Sequence, residues 1–168
     1  MFTYNKNNFM AERDLTKLDG VTQVMYIIAD NTLVSEFDRL NIWKYWCARQ
    51  WAKLLQSQPQ LADKCTEYNG WEKFDSVSWY VLLRSQPQFA DKCDKWDEIE
   101  SEYWIDDLLF EQPQLADKCD KWDEFESKDW KDLLFKHPQL ADKCPMWNKT
   151  DSENWCELIR KLKGNEEK

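Results

Sequence analysis

Large apolar residues return along this chain at helical spacing. Trp, Leu and Leu stand at i, i+3 and i+4 as Trp51, Leu54 and Leu55, as Trp79, Leu82 and Leu83, and as Trp130, Leu133 and Leu134. That spacing puts three bulky side chains on one face of an α-helix. Pro59, Pro87, Pro113 and Pro138 each follow four residues after the second Leu of such a pair. Proline pushes the preceding residue out of the α region and suits the first turn of a new helix. The pattern therefore predicts a helix that stops before each Pro and a second, short helix that starts at it. Leu61, Ala62 and Cys65, with their counterparts, form the buried side of that second helix. Trp96, Trp122 and Trp147 lie three residues past a Cys, and Ile99 and Phe125 three further on, and they extend the stripe. Tyr68 and Phe74 take these parts in the first copy, with an insertion holding Gly70 between them. Ser78, Asp129 and Asn154, directly before a Trp, are the expected N-caps.

The third pair, Leu108 and Leu109, breaks the spacing. Trp104 stands four residues before it instead of three, with Ile105 in the usual place, which predicts one extra residue in the preceding linker. The octapeptides after the Leu pairs are close copies: QPQLADKC from Gln58, QPQFADKC from Gln86, QPQLADKC from Gln112 and HPQLADKC from His137. Their Cys residues, Cys65, Cys93, Cys119 and Cys144, are 28, 26 and 25 residues apart. A single copy cannot close a core, whereas stacked copies can. The expected fold is all-α, a short α-solenoid of stacked two-helix repeats of about 25 residues. Residues 1–45 form an N-terminal segment in which 15–45 read as a degenerate capping repeat, because Leu18 falls on Phe74, Tyr26 and Ile27 on a Leu pair, and Leu33 on Phe89. Trp43, Tyr45, Trp46, Cys47 and Trp51 are expected to seal the joint. Residues 46–163 then carry the tandem repeats, ending in a half-copy at Trp155, Leu158 and Ile159, and 164–168 form a disordered tail.

The string WxxLLxxQPQ(L/F)ADKC, with Trp in the linker, resembles the tandem short helical repeats of uncharacterised bacterial proteins. The resemblance spans roughly Trp51 to Ile159. It implies a repeat architecture and brings no reaction with it.

Composition narrows the function. An aromatic share of 15%, with 11 Trp, is far too rich for a disordered acidic chain. No apolar run approaches the length of a membrane span, and the first residues lack the basic and apolar regions of a secretory signal. Having only 3 Gly and 1 His argues against phosphate loops and many acid–base sites, and no nucleophile-elbow, Walker or dinucleotide motif occurs. His137 stands where Gln serves equally well, as a polar residue at a helix junction. The recurring Asp–Lys neighbours, such as Asp63 and Lys64, point about 100° apart on a helix and read as solvated surface. The repeat Cys residues lie too far apart for disulfides and lack the close pairing of a zinc site, so they read as reduced core residues. Neither an enzyme, a cofactor, a metal nor a small-molecule ligand is expected, and reduced thiols point to the cytoplasm.

Charge supplies the positive expectation. The chain holds 32 acids against 23 basic residues, a net charge of -9. Eight acids and one Lys fall between Asp94 and Glu111, interleaved with Trp96, Tyr103, Trp104 and Phe110. Direct nucleic-acid binding is disfavoured, since phosphate contacts need Lys and Arg. An acidic belt of Asp97, Glu98, Glu100, Glu102, Asp106, Asp107 and Glu111 suits a basic protein surface instead. The expected function is a non-enzymatic protein-binding module. Its leading form is an inhibitor of a nucleic-acid-handling or defence protein, anti-CRISPR-like or a nucleic-acid mimic. The alternative is a scaffold that binds through exposed aromatics such as Trp71 or Trp147.

Overall fold

Ten-residue α-helices alternate with short 3-10 turns in the computed structural model, which describes residues 14–145. The fold is all-α, with no strand among the described residues. The chain forms two compact units, Met1–Phe74 and Asp75–Lys168, so the division falls inside the repeat run. Trp147, the cap Asn154, Cys156, the half-copy at Trp155, Leu158 and Ile159, and the tail 164–168 lie outside the described residues. No helix among the described residues is long and apolar enough to cross a membrane.

In Met1–Phe74, helix α1 (Gly20–Ala29) is followed by a 3-10 turn at Asn31–Leu33, helix α2 (Val34–Arg39) and a 3-10 turn at Ile42–Tyr45. The same series then recurs: α3 (Ala48–Ser57), a 3-10 turn at Pro59–Leu61, α4 (Ala62–Glu67) and a 3-10 turn at Trp71–Lys73. Asn41 and Asn69, 28 positions apart, both take the left-handed conformation, with φ of 53° and 50°. Asparagine tolerates that region better than other side-chain-bearing residues. After α4 it closes a Schellman cap, in which Gly70 N–H donates to Cys65 O at 2.7 Å and Asn69 N–H to Thr66 O at 3.2 Å. Gly70 is required there because a Cβ would sit 2.5 Å from Cys65 Sγ and 2.9 Å from Trp51 Nε1.

The aromatic cluster of this unit holds three of the five expected residues. Trp43 stacks on Trp51 at 5.4 Å, and Trp46 meets both rings edge-on. Gln23 is buried with them, donating to Leu15 O at 3.0 Å and accepting from Trp46 Nε1 at 2.9 Å. Tyr45 and Cys47, expected in the cluster, are instead exposed. They flank Trp46 in sequence, and adjacent residues leave a tight turn on different sides.

In Asp75–Lys168, α5 (Ser76–Ser85), α6 (101–111) and α7 (Ser127–Lys136) carry the Trp and Leu residues, all fully or almost fully buried. Two expectations are corrected here. The N-caps are Asp75 and Glu126, three residues before the expected ones. Ser78 and Asp129 occupy the third helical position, where Ser78 N–H donates to Asp75 Oδ1 at 2.8 Å and Asp129 Oδ2 accepts from Glu126 N–H at 2.9 Å. The second short helix does start at each Pro and in this unit is a six-residue 3-10 helix: Pro87–Lys92, Pro113–Lys118 and Pro138–Lys143. The backbone turns extended at Cys93, Cys119 and Cys144, leaving no residues for an α-turn and its left-handed cap. Trp96 and Trp122 therefore do not extend the stripe of that element. They pack forward onto the next helix, Trp96 on Trp104 at 5.8 Å and Trp122 on Trp130 at 5.3 Å.

The extra residue of the third repeat is inside the helix and not in the linker. Ser101–Tyr103 is α-helical, Trp104–Leu108 is a π turn and Leu109–Glu111 resumes the α-helix, with Leu109 N–H bonded to Trp104 O. The eight-residue step from Trp96 to Trp104 equals that from Trp43 to Trp51 and from Trp122 to Trp130. Nothing is therefore inserted before Trp104, and the surplus lies between it and Leu108.

The side chains before Pro59, Pro113 and Pro138 also reach back to the preceding repeat. Gln58 Nε2 donates to Ile27 O at 2.9 Å, and Gln112 Nε2 to Arg84 O at 2.7 Å. His137 Nε2 stands 2.8 Å from Phe110 O and fills the same post. Of the recurring Asp–Lys neighbours, Lys143 pairs with Asp117 of the preceding repeat at 2.7 Å, not with Asp142.

Candidate functional site

The acidic belt begins where the 3-10 helix Pro87–Lys92 ends. Cys93 is extended, and the chain turns through Lys95–Ile99, with Glu98 N–H on Lys95 O and Ile99 N–H on Trp96 O. Ile99 is fully buried and Trp96 half-buried, so the polar residues around them are driven outward. Glu100 precedes α6 in an extended conformation, and Glu102 lies in its first turn. Acidic residues at that end of a helix are favoured by its dipole, whatever else they do.

Asp97, Glu98, Glu100 and Glu102 line one open depression of about 310 Å³, joined by Glu124 and Lys121 from the next repeat. Glu98 is 4.0 Å from Lys95 and Lys121 3.9 Å from Asp120. Asp97, Glu100, Glu102 and Glu124 make no ion pair among the described residues. Glu124 was not in the expected belt, although it holds in its own repeat the place that Glu98 holds one repeat earlier.

The other three belt residues stand apart. Asp107, in the π turn, accepts from the Tyr80 hydroxyl and lies 3.1 Å from Arg84 Nη2. Tyr103 stacks on Tyr80 at 4.3 Å, which makes the group a packed polar cluster between α5 and α6. Burial first, and then the bond to the Asp107 carboxylate, raises the Tyr80 pKa above its ordinary value. Glu111 pairs with Lys136 at 3.2 Å. Asp106 is exposed. Two of the three are thus already matched by cations of their own unit, and four acids remain together around the depression.

The aromatic alternative is also redrawn. Trp71 is half-buried, its Nε1 donates to Thr66 Oγ1 at 2.9 Å and its ring lies 5.4 Å from Phe74. Trp147 lies outside the described residues. Among the described residues the exposed aromatics are instead Tyr45, at 77%, and Phe135, at 58%.

The buried thiols are poor nucleophiles. Burial pushes Cys65 and Cys119 up to about 12 and Cys93 up to about 11, so they stay protonated near neutral pH. No group of three or more His, Cys, Asp or Glu among the described residues is placed to hold a metal ion. Comparison of the chain with protein-family models, with curated proteins and with solved structures yields no match.

Proposed function

We propose that this chain is a non-enzymatic protein-binding module whose acidic depression engages a basic surface on a partner. The supporting observation is that Asp97, Glu100, Glu102 and Glu124 converge on one concave surface without ion pairs among the described residues. A cationic partner would find these charges unneutralised, and their field would steer its approach. Basic surfaces that bind nucleic acid fit this description, so the leading role is inhibition of a nucleic-acid-handling or defence protein by occupying that surface. Short stacked repeats, in a solenoid-like series, would serve to present the face. Buried Cys65, Cys93, Cys119 and Cys144, none of them in a disulfide, suit a reducing compartment such as the cytoplasm.

The test is capture from a host lysate at about 0.1 M salt, where the Debye length is about 10 Å, and again near 1 M, where it is about 3 Å. The wild type is compared with a variant carrying Asp97→Lys, Glu100→Lys, Glu102→Lys and Glu124→Lys, with helicity checked by circular dichroism. A basic protein held only at low salt, displaced by short duplex DNA and lost in the reversed variant is the expected result. Capture unchanged by charge reversal sinks the proposal. Capture lost on Phe135→Ala but not on charge reversal would favour the scaffold reading, which rests on the exposure of that ring.

A further inference from the structure

Helix α6 carries the repeat motif with one residue too many, and the identity of that residue matters. In α3, α5 and α7 the Leu pair follows Trp at i+3 and i+4, and α-winding at about 100° per residue brings all three to one face. In α6 the pair stands at i+4 and i+5. Uninterrupted α-winding from Trp104 would place Leu108 where the second Leu belongs and carry Leu109 off the face. The residue delivered to the place of the first Leu would be Asp107.

Two registers are therefore open to this helix. One is α throughout and buries Asp107 with Leu108. The other inserts a π turn and buries Leu108 with Leu109, which is the one observed, both Leu being fully buried. A π turn has a poorer hydrogen-bond pattern than the α-helix and is rare. Burying a carboxylate in an apolar core without a partner costs far more. In the observed register Asp107 faces α5 instead, where the Tyr80 hydroxyl and Arg84 hold it and Tyr103 stacks on Tyr80.

We infer that Asp107 is the register lock of α6: its charge, held by Tyr80 and Arg84, keeps the surplus residue in the π turn and so sets where the rest of the helix faces. What depends on the lock lies just beyond it. Glu111 meets Lys136, whose ammonium also lies 5.3 Å above the Phe110 ring, and Gln112 meets Arg84 O. Each of these would move by one residue in the other register. The lock operates whether or not the acidic face binds a partner.

The full chain with Asp107→Leu tests it, because that change writes the ordinary motif at Trp104, position 107 and Leu108. A Leu109→Cys reporter, alkylated with iodoacetamide and followed by peptide mass spectrometry, reads the register. With Asp107 present the reporter is buried and slow. With Asp107→Leu it should react at least about tenfold faster, the equivalent of about 1.4 kcal/mol in the register balance; a smaller ratio overturns the lock. Deleting Asp107 is the control against simple damage. Deletion restores the i+3 and i+4 spacing with Leu108 and Leu109 still the buried pair, so the reporter should stay protected. A reporter exposed by the deletion as well would mean that any change at this position loosens the helix, and would overturn the lock too.

Discussion

The two compact units close the same kind of helix with different second elements. In Met1–Phe74, the helices Gly20–Ala29 and Ala48–Ser57 are each followed by a 3-10 turn and a six-residue α-helix, ended by Asn41 or Asn69 in the left-handed conformation. In Asp75–Lys168, the six residues from Pro87, Pro113 and Pro138 are 3-10 throughout, and an extended Cys ends them. Cys65 precedes its linker Trp by six residues, whereas Cys93 and Cys119 precede theirs by three. That difference accounts for the 28-residue step against the 25-residue one, and the π turn accounts for the step of 26. A near-identical octapeptide thus takes two conformations, according to whether the chain beyond it has room for a left-handed cap.

The largest effects should be shared by both units, because the Trp faces are equivalent. Trp51→Ala and Trp130→Ala, each removing a fully buried ring, should cost about 3–5 kcal/mol in urea denaturation. A loss under about 1 kcal/mol in either would break the equivalence.

Next comes an alkaline loss of stability. An unfolded thiol ionises near pH 9, whereas burial holds Cys93 protonated up to about 11 and Cys65 and Cys119 up to about 12. The folded state binds these protons more tightly. Their contribution is fully present below the unfolded value and is lost as pH rises toward the folded ones. Each thiol lowers stability by up to about 1.4 kcal/mol per pH unit in that window. Cys65→Ala should flatten the slope less than Cys93→Ala and Cys119→Ala combined. Equal slopes in wild type and the combined variant between pH 8 and 10.5 would contradict the buried thiols.

The smallest effect sharpens the difference between the units. Gly70→Ala forces a methyl against Cys65 Sγ and Trp51 Nε1 and should cost about 1–3 kcal/mol. Lys95, which also directly precedes a linker Trp, is half-buried at the surface, and Lys95→Ala should stay within about 0.5 kcal/mol. Equal costs would mean that the two closures are not distinct.

Much of this was legible in the residues. Among the described residues, the Trp and Leu pairs of the long helices, the breaks before the repeat Pro residues and the buried repeat Cys follow from spacing and stand as expected. The caps were misread because Ser78 and Asp129 are good caps by type, yet the helix begins three residues earlier at Asp75 and Glu126. The Trp104-to-Leu108 spacing alone does not locate the insertion, whereas the unchanged step of eight from Trp96 to Trp104 shows that the linker is intact. The acidic belt was legible as a run of charge but not as a site. Which acids converge, and which are already paired, depends on residues more than twenty positions away: Glu124 joins the depression, while Tyr80, Arg84 and Lys136 take up Asp107 and Glu111.

Periodicity alone determined that this chain is helical and which side chains enter its core, because helical spacing and proline stereochemistry act within a few residues. Only the tertiary structure decided how the surplus residue is absorbed and which acids stay free of ion pairs. Those outcomes are settled by neighbours one repeat away. Burying a charge or a misplaced leucine costs more than a strained turn, so packing overrides the local preference of the chain.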